Sequence, residues 1–270
     1  MKLDVYSKEG EKKGQVDVPS HLTGEYRPDL IRRAFLSIRS ILRQPYGAKE
    51  GAGMRHSAEL SRRRRKYRGS YGHGISRVPR KILSRRGTRM TWVGAVAPGT
   101  VGGRRAHAPT SEKIYEEKIN AKERRLALQS AISASLQKPI VEVRGHKVPE
   151  TYPFALSQEF ENISKTKEAI EALNKLGFEK ELERAYTKTI RAGKGKMRNR
   201  PYKQKKSLLI IVSENCALKD ALSNVPGIDV ARYDELNAEL LAPGAHAGRA
   251  TLFTEPALTK MRETKAYAIA

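Results

Sequence analysis

Basic side chains interleaved with aromatic ones are the residues of this sequence that are best suited to binding another molecule. Arg62–Arg65, Lys66 and Arg68 form the densest cluster, and Tyr67 and Tyr71 interleave with it. A guanidinium makes bidentate bonds to phosphate and stacks on exposed bases, which a lysine ammonium cannot do, and tyrosine rings also stack on bases. The cluster therefore predicts contact with a nucleic acid, with a solvated or nuclear-targeting run as the alternative interpretation.

Most of the positive charge of the chain is confined to two stretches. The segment from Arg43 to Thr110 contains seventeen lysines or arginines and two acidic residues, a net charge of +15, and Arg191–Lys206 contains eight basic residues and no acids. Since the whole chain of 270 residues carries +24, the other residues are close to neutral. This distribution is expected of a protein that neutralises nucleic-acid phosphate.

Motifs of the common enzyme classes are missing from the sequence. The six histidines have no HExxH spacing, no serine lies in a GxSxG motif, and no GxGxxG follows a predicted strand. Gly193–Lys196 has the sequence GKGK, but it lacks the preceding glycine and the following hydroxyl that a phosphate-binding loop needs. We therefore expect no cofactor, no metal and no small-molecule substrate.

The single cysteine and the charged N-terminus bear on the cellular compartment. Cys216 is alone, which excludes an internal disulfide, a multi-cysteine zinc site and an iron–sulfur cluster and favours a reducing cytosol. The first residues, MKLDVYSKEGEKK, carry charges where a secretion signal needs an apolar core, and no stretch approaches the roughly 20 apolar residues of a membrane span. We expect a cytoplasmic protein that does not contact a membrane.

Strands and a helix are predicted before the first basic stretch. Residues 3–5 and 16–18 alternate apolar and polar side chains around a glycine-containing turn, which predicts two short strands or a hairpin. Pro28 suits the first turn of a helix, and apolar residues recur at helical spacing from there to Arg43. This helix has one apolar face and must pack against a core.

Segment 45–109 has no apolar periodicity. It contains eleven glycines, scattered prolines and arginine runs, and no piece is long enough to bury a helix face. We therefore expect no regular secondary structure. Because a structureless loop of this length is improbable inside a compact domain, we interpret it as an inserted extension that a partner orders.

The rest of the chain predicts alternating helices and strands. Asn120 is placed to cap a helix, with Glu123 at the reciprocal capping position, and Ser207–Ser213 is apolar on both faces, as central parallel strands are. The spacing predicts an α/β sheet with Ser207–Ser213 at its middle. The other predicted elements are a short strand at Ile140–Val143, helices at Thr166–Leu176, Glu179–Arg191, Ala217–Leu222 and Asp234–Leu240, strands at Ile228–Val230 and Thr251–Phe253, and a last helix from Pro256.

These elements predict one globular α/β domain made of residues 1–44 and 111–270. Residues 45–110 are then an inserted basic loop rich in glycine and arginine, and residues 191–206 a basic surface loop within the globular domain.

Four separated motifs, in the same order, resemble one family. They are WVGAVAPGTVGGRRAHAP at Trp92–Pro109, AGKGKMRNRPYK at Ala192–Lys203, NVPGIDV at Asn224–Val230 and LAPGAHAGRATLFTE at Leu241–Glu255. On these motifs the chain resembles the large ribosomal subunit protein four family, in its archaeal and eukaryotic branch, from the N-terminal strands to the last helix.

The resemblance implies a three-layer α/β/α globular domain with a small, mainly parallel sheet and a long extended internal loop. It also implies a structural protein of the large ribosomal subunit that binds the subunit's ribosomal RNA, supports its assembly and contacts neighbouring ribosomal proteins. In the family the loop tip lines the constriction of the exit tunnel, beside the nascent peptide. By motif position the tip residues are Ser76, Arg77, Val78, Pro79 and Arg80.

The side chains expected to bind ribosomal RNA share a positive charge or a ring that can stack. They are Arg55, Arg62, Arg63, Arg64, Arg65, Lys66, Arg68, Arg77, Arg80, Lys81, Arg85, Arg86, Arg89, Trp92, Arg104, Arg105, His107, Lys194, Lys196, Arg198, Arg200 and Lys203.

Two alternatives stay open at this point. Trp92, the only tryptophan, is suited either to stacking on a base or to packing back on the globular domain. The alternative function is an RNA-modifying enzyme whose cationic arm grips its substrate, which rests on fold analogy alone.

Overall fold

The computed structural model describes residues 1–268 of the chain. They form an α/β unit, residues 1–42 and 116–268, and an inserted unit, Arg43–Tyr115. The strands are β1 (Lys2–Tyr6), β2 (Lys12–Asp17), β3 (Ala58–Glu59), β4 (Arg80–Arg86), β5 (Arg89–Gly94), β6 (Ala155–Leu156), β7 (Thr189–Ile190), β8 (Tyr202–Lys203), β9 (Leu209–Val212), β10 (Asp229–Arg232) and β11 (Thr251–Thr254). The α-helices are α1 (Pro28–Ile41), α2 (Ala121–Ser135), α3 (Lys138–Val143), α4 (Thr166–Lys175), α5 (Glu179–Tyr186), α6 (Ala217–Leu222), α7 (Ala238–Leu241) and α8 (Glu255–Glu263).

A six-stranded sheet organises the α/β unit, in the order β10–β9–β11–β6–β1–β2. Neighbouring strands are parallel except β1 and β2, which form an antiparallel hairpin. The predicted fold class and the predicted N-terminal strands are thereby confirmed. The strand predicted at Ser207–Ser213 is β9, but it is the second strand and not the middle one, because β6, β1 and β2 extend the sheet beyond β11.

Helices pack on both faces of this sheet because the side chains of β9 are apolar on both. Leu209 and Ile211 contribute to a core with α1, α2, α7 and α8, whereas Ile210 and Val212 contribute to a core with α3, α4, α5 and α6. All four side chains are buried, and each such burial stabilises the fold by about 1.5–3 kcal/mol. The unit is therefore a three-layer α/β/α arrangement.

Five predicted helices, α1, α2, α4, α6 and α8, are confirmed, but the strand predicted at Ile140–Val143 is wrong. This segment lies in helix α3. Its β-branched residues favour a strand, yet Pro139 occupies the first turn of the helix and Val141 is fully buried in the core. Tertiary packing overrides the local preference here.

Two other helices are shorter than predicted. Helix α5 ends at Tyr186 and not at Arg191, because β7 pairs with β8 in an antiparallel hairpin. Helix α7 begins only after Asn237, whose side chain accepts a hydrogen bond from the Leu240 amide at 2.8 Å. Each of these helices ends or begins where another backbone or side-chain partner is available.

The capping box predicted for α2 is also wrong. Asn120 is the N-cap residue, but its side chain makes no capping hydrogen bond. Glu123 instead accepts a hydrogen bond from Arg33 of α1 at 2.8 Å. The carboxylate thus joins two helices rather than closing one.

Arg249 is a buried cation, 1% exposed, that joins the segments leading into β9 and β10. Its guanidinium donates to the carbonyl oxygens of Ser207 at 2.7 Å and of Leu208 and Gly227 at 3.0 Å. It also pairs with Asp229 at 2.6 Å. A buried charge is stable only with partners of this kind, so Arg249 is a structural residue of the sheet.

The inserted unit contains regular structure that we did not expect. Strands β3, β4 and β5 form an antiparallel sheet in chain order, with Ile82 opposite Trp92. Along β5, half-buried residues alternate with exposed ones, which is the period of a strand. The sequence signal was obscured because arginine or lysine, rather than an apolar residue, occupies four of the seven positions of β4.

Candidate nucleic-acid interface

The densest cationic cluster is a bulge, defined here as residues 62–68. Ser61 and Gly69 pair as an isolated bridge at its base, and the Gly69 amide donates to the Lys66 carbonyl at 2.8 Å. A Cβ at position 69 would lie 2.9 Å from two backbone oxygens of the bulge, so the base closes only around glycine. This closure leaves Arg62–Tyr67 exposed, and such adjacent like charges favour binding of a polyanion.

The two tyrosines near the bulge contact arginines of their own chain. The sequence predicts that Tyr67 and Tyr71 stack on bases, but each ring already lies close to two guanidinium groups. The ring-centroid distances are 4.6 Å from Arg77 and 5.7 Å from Arg64 for Tyr71, and 5.4 Å from Arg68 and 5.8 Å from Arg85 for Tyr67. Such contacts orient arginine side chains before a ligand arrives, which lowers the entropic cost of binding.

Trp92 is half-buried on β5, where its ring lies 5.3 Å from the guanidinium of Arg80. Arg80 is half-buried as well and opens β4. Both residues are among the side chains expected from the sequence to bind ribosomal RNA, and the structure brings them into contact with each other. Sequence spacing gave no sign of this pairing, which depends on the register of β4 against β5.

A tight turn precedes the basic return segment Arg104–His107. The Gly103 amide donates to the Thr100 carbonyl at 2.9 Å, and the Arg104 amide donates to Val96 at 3.3 Å. A Cβ on Gly103 would lie 2.0 Å from the Ala97 oxygen, so only glycine fits. Arg105 and His107 are exposed, and Arg104 is half-buried.

The two ends of the inserted unit meet at a neck formed by residues 47–48 and 109–111. The Ala48 amide donates to the Pro109 carbonyl at 2.8 Å. A Cβ on Gly47 would lie 2.6 Å from the Ser111 nitrogen. The neck therefore holds the outgoing and returning backbones in contact.

Few of the positive charges of the inserted unit are neutralised by carboxylates. Arg68 pairs with Glu59 at 3.1 Å, and this is the only ion pair of a lysine or arginine of the unit within the part of the chain that the structure describes. Arg55, Arg86 and Arg89 are exposed, and Lys81 is half-buried. The free cations make this unit suited to phosphate.

The second basic stretch is a hairpin, residues 189–203, whose strands are β7 and β8. Arg191 organises it, because its guanidinium donates to the carbonyl oxygens of Arg200 at 3.2 Å and Tyr202 at 3.3 Å. Sequence reasoning did not single out this role. The predicted cations of the hairpin are all exposed: Lys194, Lys196, Arg198, Arg200 and Lys203.

A buried polar cluster lies in the α/β unit, around the carboxylate of Glu181. Glu181 accepts hydrogen bonds from His146 at 2.7 Å, from the Lys147 amide at 2.9 Å and from Arg184 at 2.5 and 2.8 Å. Burial alone would raise the pKa of Glu181, but these hydrogen bonds outweigh burial and bring its pKa to about 2. Burial lowers the pKa of His146, so the pair is a carboxylate with a neutral imidazole near pH 7.

The model of the ribosomal protein L4/L1 family matches residues 16–264, which run through both units. The chain belongs to the ribosomal protein L4/L1 family. Similar proteins of this family are each called large ribosomal subunit protein uL4. The one from Nanoarchaeum equitans is 45% identical over 99% of this chain and 100% of its own length. Those from Methanococcoides burtonii and Archaeoglobus fulgidus are 44% and 40% identical, over 93% and 97% of this chain and 94% and 99% of their own lengths.

In this member of the L4/L1 family, a buried carboxylate joins two strands at the carboxyl edge of the parallel sheet. Many α/β proteins bind small molecules at that edge. Here buried Glu161 accepts hydrogen bonds from the Ser213 amide at 2.9 Å, from the Ser213 hydroxyl at 2.8 Å and from Thr254 at 2.6 Å. The carboxylate is thus used to tie the ends of β9 and β11 together.

Residues 1–268 of this L4/L1 family chain contain no group of three or more His, Cys, Asp or Glu side chains arranged to hold a metal ion. Within the same range, every helix is too short or too polar to span a membrane.

Proposed function

We propose that this protein is a structural constituent of the large ribosomal subunit and binds its ribosomal RNA through the inserted unit and the 189–203 hairpin. The observation that carries the proposal is the inserted unit's charge of +15 with a single internal ion pair. Family membership supports the same function, because the relatives are named as proteins of that subunit. The partners are ribosomal RNA and neighbouring ribosomal proteins, in the cytoplasm.

The inserted unit cannot stabilise itself by apolar burial alone. Among the residues 43–115, Ala95 is the only buried apolar side chain, whereas both cores lie in the α/β unit. Ordering each residue costs about 1–2 kcal/mol, so polar contacts have to offset that cost, both within the unit and with RNA. Arginines supply such contacts through bidentate bonds to phosphate.

The finer part of the proposal concerns the tip. Residues Ser76–Arg80 line the constriction of the nascent-peptide exit tunnel, and the nascent peptide passes beside them. Two observations support this assignment. Residues 76–79 immediately precede β4, which begins at Arg80, and they lie at the turn of the unit that is farthest in sequence from the neck; Ser76 and Arg77 are exposed.

Chemical footprinting of large-subunit ribosomal RNA tests the proposal. One sample contains the intact protein, and the other contains a version in which residues 47–109 are replaced by a short linker, which the neck permits because its two backbones touch. We expect protections near the tunnel to disappear with the inserted unit, while protections from the 189–203 hairpin persist. A third version with Lys194→Gln, Lys196→Gln and Arg198→Gln should lose only the second set.

Identical, diffuse protections from the intact and shortened proteins would contradict the proposal, since the inserted unit would then be only a charged tail. Circular dichroism of the shortened protein has to show the α/β unit folded for the comparison to count.

The RNA-modifying enzyme has no observation in its favour. Its motive was analogy with α/β enzymes, which bind cofactors at the carboxyl edge of the sheet; here Glu161 at that edge is hydrogen-bonded to Ser213 and Thr254. The family and its named relatives are ribosomal proteins and not enzymes.

A further inference from the structure

The tip loop, defined as residues 70–79, is closed by one arginine. Arg80 donates from Nη2 to the Ser76 carbonyl at 2.5 Å and from Nη1 to the Val78 carbonyl at 3.3 Å. A longer contact of 3.4 Å joins Nη1 to the hydroxyl of Ser70, which is buried at the start of the loop. One planar guanidinium therefore spans the loop from its first residue to its last turn.

The ring of Trp92 supports this guanidinium from the neighbouring strand. Arg80 and Trp92 lie on adjacent, paired strands, where Arg80 is opposite Gly94 and Ile82 is opposite Trp92. The guanidinium carbon is 5.3 Å from the ring centroid, a distance at which a cation is attracted to the face of an indole. The flat fork of arginine satisfies both partners at once, whereas a lysine ammonium has neither the fork nor the planar face.

Arg77, the arginine within the tip loop, differs from Arg80 in its surroundings. Arg77 is exposed, and its described contact is with the ring of Tyr71 at 4.6 Å. Backbone contacts add to the closure made by Arg80, because the Ala95 amide donates to the Pro79 carbonyl at 2.8 Å. Arg77 is thus presented outward by a loop whose base Arg80 closes.

We propose that Arg80 and Trp92 form a clasp that fixes the shape of the tip loop. Among the proposed tip residues, Ser76 and Arg77 then face RNA or peptide directly, and Arg80 is a positioning residue whose side chain is used within the loop. This inference rests on the proposed function, because the role of the clasp is to present Ser76 and Arg77 to the tunnel. The face of Trp92 that meets Arg80 is closed to a base.

Fluorescence of the free, full-length protein tests the clasp, since Trp92 is the only tryptophan. Arg80→Lys keeps the charge and removes the fork. The matched control is Arg89→Lys, an exposed arginine of the same sheet that makes no described side-chain hydrogen bond or ring contact. We expect Arg80→Lys to raise acrylamide quenching of Trp92 about threefold and to shift its emission to longer wavelength, and Arg89→Lys to change neither.

Limited trypsin digestion gives a second measurement that does not depend on fluorescence. In the wild type the Arg77–Val78 bond should be protected relative to bonds in the exposed bulge 62–68. Trp92→Ala should speed cleavage after Arg77 about tenfold, with cleavage in the bulge unchanged, and Trp92→Phe should restore most of the protection because a phenyl face also attracts a cation.

Equal quenching of the wild type and Arg80→Lys, or equal cleavage after Arg77 in the wild type and Trp92→Ala, would overturn the clasp. Identical, diffuse RNA protections from the intact and shortened proteins in the footprinting experiment would instead overturn the proposed function and leave the clasp standing. The two failures are therefore distinguishable.

Discussion

Glu181 shows how a single buried side chain sets the response of the fold to pH. Its carboxylate is fully buried, yet it stays ionised because Arg184, His146 and the Lys147 amide donate to it. Its pKa in the folded protein, about 2, lies below its ordinary value of 4.5, and the pKa of His146 lies below its ordinary value of 6.5. The unfolded chain therefore binds more protons than the folded one at acidic pH.

From this we predict a stepwise loss of stability on acidification. The contribution of Glu181 is complete above pH 4.5 and is lost as pH falls from there towards 2, by about 3 kcal/mol in all and about 1 kcal/mol by pH 4. His146 adds an earlier loss as pH falls through 6.5, because its imidazole must stay neutral in the folded protein. Urea unfolding at pH 7.5, 5.5 and 4 measures both steps.

Glu181→Gln separates this effect from that of the other carboxylates. The variant should be less stable at pH 7.5, because half-buried Arg184 loses its carboxylate partner, and its stability should change less between pH 5.5 and pH 4. Glu183→Gln, on the same helix but exposed, should follow the wild type. A Glu181→Gln variant with the wild-type pH dependence would show that the depressed pKa is wrong.

At the scale of the element, close backbone approaches fix the turn before the return segment. Gly99 and Gly103 are four residues apart, but a Cβ on Gly103 meets the Ala97 oxygen at 2.0 Å, whereas a Cβ on Gly99 meets nothing within 4 Å. Neither glycine needs a positive φ, so the difference between them is purely steric.

We predict that Gly103→Ala opens this turn and that Gly99→Ala does not. Overpacking of this kind typically costs about 1–3 kcal/mol, which corresponds to a roughly tenfold faster tryptic cleavage after Arg104 and Arg105 through local opening. Timed digestion followed by mass spectrometry measures the two rates. Equal rates in both variants would mean that the turn relaxes without cost.

The helices and strands of the α/β unit show which parts of the fold the sequence could predict. Helices α1 and α4 were predictable because an apolar face recurs every three to four residues and a proline or glycine marks one end. β9 was predictable from its unbroken apolar run. β6 was not, because two residues carry no periodicity and the strand exists only through its pairing with β1 and β11.

The candidate interface was predictable in composition but not in arrangement. The high positive charge of residues 62–68 and of the second basic stretch could be predicted, since both lack acidic residues. The 189–203 hairpin itself could not, because residues 189–191 were predicted to be helical. The pairing of Arg80 with Trp92 depends on strand register, and the role of Arg191 depends on carbonyl groups nine and eleven residues away. Neither kind of contact leaves a mark in residue spacing.

Across the whole molecule, lysines and arginines that have no carboxylate partner should contribute more to RNA binding than those that are ion-paired. Cations of the bulge have no carboxylate partners apart from the Arg68 pair, whereas many lysines of the α/β unit are ion-paired. Each cation that displaces a counterion contributes about 0.7–0.9 to the slope of log K against log salt concentration.

We predict that changing the five residues Arg62–Lys66 to glutamine makes this slope shallower by about 3.5–4.5, if each contacts a phosphate. The matched control removes the same charge from five paired lysines and should leave the slope nearly unchanged. Filter binding to large-subunit ribosomal RNA fragments between 50 and 300 mM salt, roughly the range over which such slopes are linear, measures both. Equal slopes for the two variants would contradict a specific role of the bulge. The five control lysines are Lys12, Lys165, Lys167, Lys175 and Lys219.

The position of the inserted unit in the chain has a topological consequence. β1 and α1 precede it, while their partners β6 and α2 follow it: β1 pairs with β6 through Val5 and Ala155, and Arg33 of α1 bonds to Glu123 of α2. A single cut inside Arg43–Tyr115 therefore separates β1, β2 and α1 from the rest of the α/β unit without cutting any strand of the six-stranded sheet. Each of the two fragments is incomplete alone, and the two are complementary in one hydrogen-bonded sheet and one core.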